Sequence, residues 1–254
     1  MPFDPHFAID VIHPAATSAY LIMKVPAPPL PAGYTLVGPI EADPLAAKPV
    51  AAITEPKLQE IVAGMLSESK EFGLVAWNAT QKTALVAFRG TQTVWDWIND
   101  LDAVAVDYVA VPGSGHVHMG FQLVYEQVRQ SVAGLLAAGC AGAQRILVTG
   151  HSLGGAVAVL AAYQLAKAGP VVPELYTVAG PRTGAPDFSK DLDACIPVCY
   201  RIVNFMDVVP QVPLPPVYKH VGQEVLVHGG FKPLEVAYAH RLTTYLAGLQ
   251  KLLT

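Results

Sequence analysis

The sequence predicts an α/β fold with a central, mostly parallel sheet flanked by helices, and three observations lead there. Apolar residues make up 52% of the 254 residues and charged residues only 14%, which is ample material for a large core or a greasy surface. In the second half, short apolar runs of strand length alternate with longer runs of helical spacing, the pattern of a sheet buried on both faces. Between one such strand and one such helix stands the pentapeptide Gly150-His151-Ser152-Leu153-Gly154. A chain of this length suits one large domain, so residues 1–254 are read as a single unit.

Taken in order, residues 25–49 are loaded with Pro and Gly without periodicity, which predicts an irregular wrap. A helix is expected from Pro56 to about Ser67, where Leu58, Ile61, Val62 and Met65 share a face behind a first-turn proline. Phe72 to Asn78 and Lys82 to Phe88 read as two strands joined by a short turn. Phe121 to Ala138 is helical by spacing, Arg145 to Thr149 is a short apolar strand, and Leu153 to Ala168 is again helical. Glu174 to Ala179 and Val198 to Phe205 are further strands, and Leu234 to Leu253 is expected to close the chain as one helix.

Several function classes are disfavoured. The formal charge of −4 offers no basic footprint for nucleic acid. No window reaches about 18 uninterrupted apolar residues, so no membrane span is expected. The N-terminus shows no basic patch followed by an apolar run, so no signal peptide is expected either. Three cysteines, Cys140, Cys195 and Cys199, are too few for a disulfide scaffold.

The pentapeptide carries the chemistry. Ile146-Leu147-Val148-Thr149 runs into Gly150 and Ala156-Val157-Ala158 follows, the strand–turn–helix context of a nucleophile elbow. A serine lifted above a sheet needs a strained turn, and glycines two residues to either side avoid the collision that a side chain would cause. The helix that follows points its N-terminus at the site and favours developing negative charge. A lone hydroxyl is a weak nucleophile, so a base and an orienting carboxylate are required, here in the order acid then histidine. His220, His228 and His240 qualify as the base. Among the downstream acids, Asp207 stands just past the strand ending at Phe205, where a parallel sheet presents its functional loops. His151 is expected to be packed and hydrogen-bonded. His116 and His118 lack a third ligand of suitable spacing, so they are expected to be structural and no metal site is predicted.

The ordered blocks of the chain resemble the fungal-type triacylglycerol lipases, the class 3 lipase family of the α/β-hydrolase superfamily. Val86-Ala87-Phe88-Arg89-Gly90-Thr91 resembles the strand ending in that family's oxyanion residue, and Trp97-Ile98-Asn99-Asp100-Leu101 its lid region. His118-Met119-Gly120-Phe121, the elbow, Gly180-Pro181-Arg182-Thr183-Gly184, Val203 to Pro210, and His240 with Tyr245-Leu246 complete the series. The resemblance implies an α/β-hydrolase fold with a short lid and a triad of Ser152, Asp207 and His240. It also implies oxyanion donors at Thr91 and Leu153, with Asp100 holding the Thr91 hydroxyl. Chemistry of this kind needs no metal or organic cofactor.

Val94, Trp97, Ile98 and Leu101 keep the i, i+3, i+4, i+7 spacing of an amphipathic helix, with Trp95 beside them. Such a face fits a lid that covers an acyl groove and turns toward lipid, though an ordinary buried helix has the same pattern. The family resemblance implies secretion and acylglycerol substrates at a lipid–water interface. A short-chain or aromatic-acyl carboxylesterase would share the chemistry with a different pocket, and a non-catalytic lipid-binding scaffold would share the fold.

Overall fold

Strand β3 (Thr83–Phe88) is buried at every position, and its side chains divide between two cores. Ala84, Val86 and Phe88 join the core on one face of the sheet, while Leu85 and Ala87 join the core on the other. This two-residue alternation with both faces apolar is what a strand in the middle of a three-layer α/β fold requires. The computed structural model describes residues 2–43, 69–91, 104–232 and 235–254, apart from the side chain of Val236.

The other strands of the sheet are β1 (Thr35–Glu41), β2 (Glu71–Asn78), β6 (Arg145–His151), β7 (Glu174–Val178), β8 (Cys199–Asn204) and β9 (Gln223–Val227). Their order is β1-β2-β3-β6-β7-β8-β9. The pairs β1–β2 and β2–β3 are antiparallel; every later pair, from β3–β6 to β8–β9, is parallel. A separate antiparallel hairpin is formed by β4 (Ala105–Asp107) and β5 (His116–His118). The mostly parallel sheet that the sequence predicts is therefore present, with its C-terminal strand ends on one side.

The chain begins with α1 (Pro5–Phe7), a π-helical turn over Ala8–Ile12, and α2 (His13–Leu21). Ala8, Ile12, Ala15 and Ala19 of this segment pack in one core with Leu85, Ala87 and Tyr176 of the sheet. The opposite face is covered by α3 (Met119–Gly139) and α4 (Leu153–Ala168), with α5 (Pro186–Cys195) beside them. Helix α4 is buried from Leu153 through Tyr163, as its nearly unbroken apolar sequence demands. Two short helices, α6 (Val236–His240) and α7 (Leu242–Gln250), end the described chain with a 3-10 turn at Lys251–Leu253.

Two expectations need correction. The stretch 25–49 is not irregular throughout, because Thr35–Glu41 forms the edge strand β1. Pro39 hid it; a proline cannot donate to a ladder, but an edge strand needs only one paired side. The single closing helix from Leu234 is also broken. Arg241 adopts an extended conformation (φ −70°, ψ 141°) between α6 and α7. The carbonyls of Ala239 and His240 are taken by side chains instead, at 2.9 Å from Asn204 Nδ2 and 2.9 Å from His151 Nε2. The helix expected over Pro56 to Ser67 lies outside the described residues, as do Trp95, Trp97, Ile98, Asp100 and Leu101 of the expected lid.

Candidate active site

Ser152 sits between the end of β6 and the start of α4 with φ 59° and ψ −130°, a conformation that L-residues rarely adopt. Its N–H donates to Val178 O at 3.0 Å, and its carbonyl accepts from Gly155 N at 2.8 Å, so the strained turn is held from both sides. The glycines show why the motif is spaced as it is. A Cβ on Gly150 would stand 2.0 Å from Gly154 O, and one on Gly154 would stand 2.5 Å from both Phe88 O and Arg89 O. The elbow presses its backbone against itself and against the end of β3, leaving no room for a methyl group.

Asp207 follows β8 in a loop and is 2% exposed, with its carboxylate surrounded by donors. Oδ2 accepts from His240 Nδ1 at 2.8 Å and from Tyr245 OH at 2.7 Å, while Oδ1 accepts from Val209 N at 3.0 Å. Because Nδ1–H of His240 donates to the carboxylate, the neutral ring presents Nε2 as a lone pair. Both His240 Nε2 and Ser152 Oγ are buried, and neither makes a hydrogen bond among the described residues. Buried polar atoms are nearly always satisfied, so a hydroxyl and an imidazole nitrogen without a hydrogen bond among the described residues are each able to take one from a ligand.

A second layer of polar groups holds the imidazole. His151 is buried, with its ring 4.7 Å from that of His240 and its Nε2 2.9 Å from the His240 carbonyl. A carbonyl only accepts, so Nε2 carries the proton, and Nδ1 accepts from Tyr20 OH at 2.7 Å. Burial, and then the neighbouring His240, push the pKa of His151 well below the ordinary imidazole value, which keeps this tautomer neutral. Asn204 at the end of β8 donates to Ala239 O and accepts from Gly229 N at 3.0 Å, tying the segment that carries His240 to the sheet. Burial raises the Tyr245 phenol well above its ordinary range, so it stays a donor to Asp207.

The remaining sequence candidates separate cleanly. Thr91 ends β3's extension and is 6% exposed, and Leu153 opens α4 with a first-turn N–H. Gly90, next to Thr91, packs against the serine: a Cβ there would be 2.9 Å from Ser152 Cβ. His228 is exposed, its ring 5.5 Å from that of Phe205 at a tilt of 40°, and the Asp207 carboxylate takes His240 and Tyr245 instead. His220 bonds Pro210 O at 2.7 Å and is likewise not the partner of the acid. The Pro-rich stretch after Asp207 is held by Arg182, whose Nη1 donates to Pro213 O at 3.0 Å and whose N–H donates to Val212 O at 2.9 Å.

His116 and His118 also part company. His116 is exposed and pairs with Asp187 at 2.7 Å and Asp107 at 3.4 Å. His118 is buried and caps α3, accepting from Gly120 N at 3.1 Å. No group of three or more potential metal ligands occurs among the described residues. Burial lowers the His118 pKa from 6.5 to about 4, and this has a consequence for stability. Above pH 6.5 the ring is neutral in both folded and unfolded chains, and nothing is lost. Between pH 6.5 and about 4 only the unfolded chain takes up the proton, so stability falls, by about 3 kcal/mol at full effect. Urea unfolding midpoints from pH 8 to 4 should therefore decline on the acid side, and His118→Gln should flatten that decline. An unchanged slope in the variant would exclude this origin.

Sequence reasoning assigned no role to Tyr20, Asn204 or Tyr245. Tyr245 stood within the block that contains His240, five residues on, but a helical register would have turned it away. Asn204 closes its strand three residues before the acid, a place where strand ends commonly carry polar side chains. Tyr20 gave no signal, because nothing local connects the first helices to the elbow.

The fold and elbow define a class: an α/β protein with a serine turn at the end of a central strand, an acid on a later loop and a histidine at the end of a short helix beyond it. Residues 85–217 match the family model described as lipase (class 3), which is more than half of the chain. The chain belongs to the class 3 lipase family and has its α/β-hydrolase fold. The secreted mono- and diacylglycerol lipase 1 of Fusarium solani is 36% identical over 186 residues, covering 70% of this chain and 54% of that protein. Phospholipase A1-II 3 of Oryza sativa subsp. indica is 34% identical over 184 residues, covering 60% of this chain and 44% of that protein. A solved triacylglycerol lipase, whose catalytic centre is formed by a serine protease triad, matches with a TM-score of 0.54 and 33% identity over 61% of this chain and 60% of its own. The chain spans about half the length of the curated relatives it matches.

Proposed function

We infer that this protein is a serine ester hydrolase that cleaves acylglycerols at a lipid–water surface through an acyl-enzyme. The observation that carries this reading is the buried Asp207–His240 pair, with Asp207 gathering three donors, in a fold that also holds Ser152 in a strained turn; neither Ser152 Oγ nor His240 Nε2 makes a hydrogen bond among the described residues. In the proposed reaction His240 Nε2 takes the Ser152 proton as Oγ attacks the ester carbonyl, and Asp207 offsets the imidazolium charge. The proton then passes to the leaving alcohol, and water hydrolyses the acyl-enzyme by the same steps. Backbone N–H groups of Thr91 and Leu153 stabilise the oxyanion, with Asp100 supporting the Thr91 hydroxyl. Trp95, Trp97, Ile98 and Leu101 form the lid and meet the lipid.

Support for the substrate class comes from family membership and from relatives named as lipases and a phospholipase A1. Exposed apolar side chains flank the acid in sequence, Phe205, Met206 and Val208, with Leu214 and Val217 exposed further along, and such side chains suit a lipid surface better than bulk water. No helix among the described residues is long and apolar enough to cross a membrane. The test has two parts. A fluorophosphonate probe should label Ser152, and absence of labelling would favour a non-catalytic scaffold. Rates on p-nitrophenyl esters from acetate to palmitate, beside emulsified triacylglycerol and phospholipid, then define the substrate. A sharp optimum at acetate or butyrate with no turnover of either emulsion would replace the lipase reading with a short-chain or aromatic-acyl carboxylesterase.

A further inference from the structure

Arg89 is a charged residue without a place in the chemistry above, yet it is only 1% exposed and lies two residues before Thr91. Burying a guanidinium is costly unless it is hydrogen-bonded. Its Nε donates to Glu71 O at 2.7 Å and Nη2 to Ser69 O at 3.3 Å, and the group lies 4.6 Å over the Phe72 ring. These contacts fix the guanidinium to the start of β2. Its remaining arm, Nη1, donates to Gly90 O at 2.8 Å.

That last contact matters because of which peptide it touches. The Gly90 carbonyl and the Thr91 N–H belong to one planar trans unit and point in opposite directions, so turning one fixes the other. Glycine offers little resistance to rotation of this plane, so something else must hold it. The unit stands against the nucleophile: a Gly90 Cβ would meet Ser152 Cβ at 2.9 Å, His151 O at 2.9 Å and Tyr20 OH at 2.5 Å. We propose that Arg89 is a positioning residue of the oxyanion site, anchored on β2 and gripping the Gly90 carbonyl so that the Thr91 N–H faces Ser152. A full positive charge on the carbonyl also polarises the amide and strengthens its N–H as a donor. In the flipped arrangement a carbonyl oxygen would face the oxyanion and repel it. The proposal rests on the reading of Ser152 as the nucleophile and Thr91 as a donor.

A trifluoromethyl ketone carrying ¹³C at its carbonyl tests both levels. Ser152 Oγ adds to the carbonyl carbon, His240 takes the serine proton, and the ketone oxygen becomes a hemiketal oxyanion whose pKa is read from the ¹³C shift. Failure of the unaltered protein to form the adduct would sink the nucleophile assignment itself. In Arg89→Lys, which keeps the charge but not the three-armed fork, kcat on p-nitrophenyl butyrate should fall about 10²-fold, the scale of one lost oxyanion donor. KM should stay within about threefold, since binding of the ground state is not the target. The hemiketal pKa should rise by about two units, the same 10²-fold expressed as proton affinity. Only folded protein forms the adduct, so a merely structural arginine would lower yield or Tm and leave that pKa unmoved. Adduct formation with an unmoved pKa in Arg89→Lys overturns the proposal, as does loss of the fold in both Arg89→Lys and Arg89→Gln.

Discussion

Ser152→Ala should abolish ester hydrolysis, lowering kcat by about 10⁶-fold with the fold intact, because nucleophile and base act as one unit. Ser152 Oγ makes no hydrogen bond among the described residues, so its removal breaks none of those contacts. Alanine keeps the Cβ that already stands at φ 59°, and the thermal midpoint should stay close to that of the unaltered protein. His240→Ala should be equally severe in rate but less benign in structure, since its Nδ1 donates to Asp207. The double variant should lose no more activity than either single one. Steady-state kinetics on a soluble ester decide this: losses that multiply in the double variant would mean that the two side chains do not act together.

Asp207→Asn should cost about 10⁴-fold in kcat while leaving the site assembled. The carboxylate accepts from three donors, and an amide offers one oxygen and two N–H groups in their place. If the amide N–H faces His240 Nδ1, the ring must carry its proton on Nε2, the tautomer that cannot accept from serine. Tyr245→Phe removes one donor from the same carboxylate without changing its charge, so about tenfold is the expected ceiling, the scale of a single hydrogen bond. Both variants are read by kcat on a soluble ester and by rate of fluorophosphonate labelling at Ser152. A loss below tenfold in Asp207→Asn would remove Asp207 from the triad, and a Tyr245→Phe lesion of equal size would shift the weight to the tyrosine.

Much of the architecture was legible because local and global signals agree. The run Leu153 to Ala168 is apolar nearly all round, and it forms a helix with those bounds. Strand β3 differs from its expected span by one residue, since Lys82 has φ 47° and belongs to the turn. The edge strand β1 was hidden by Pro39, and β9 by a mixed sequence of which only Val227 is buried. Edge strands bury little, so their apolar alternation is weak.

Sequence alone determined the elbow, since the steric demand on Gly150 and Gly154 is local and the motif states it. It also determined that the central strands are buried on both faces and that an acid would follow β8. The spacing of the residues left His220, His228 and His240 open and only the family resemblance named His240; the tertiary structure shows how it meets the acid, from 33 residues beyond Asp207 and beside a break in the closing helix. That break comes from His151 and Asn204 taking two carbonyls that the helix would otherwise use. Only the tertiary structure decided the contacts of Tyr20, Tyr245 and Arg89, whose partners lie on other elements. Hydrogen bonds between distant segments leave no periodicity in the chain, so no local pattern could announce them.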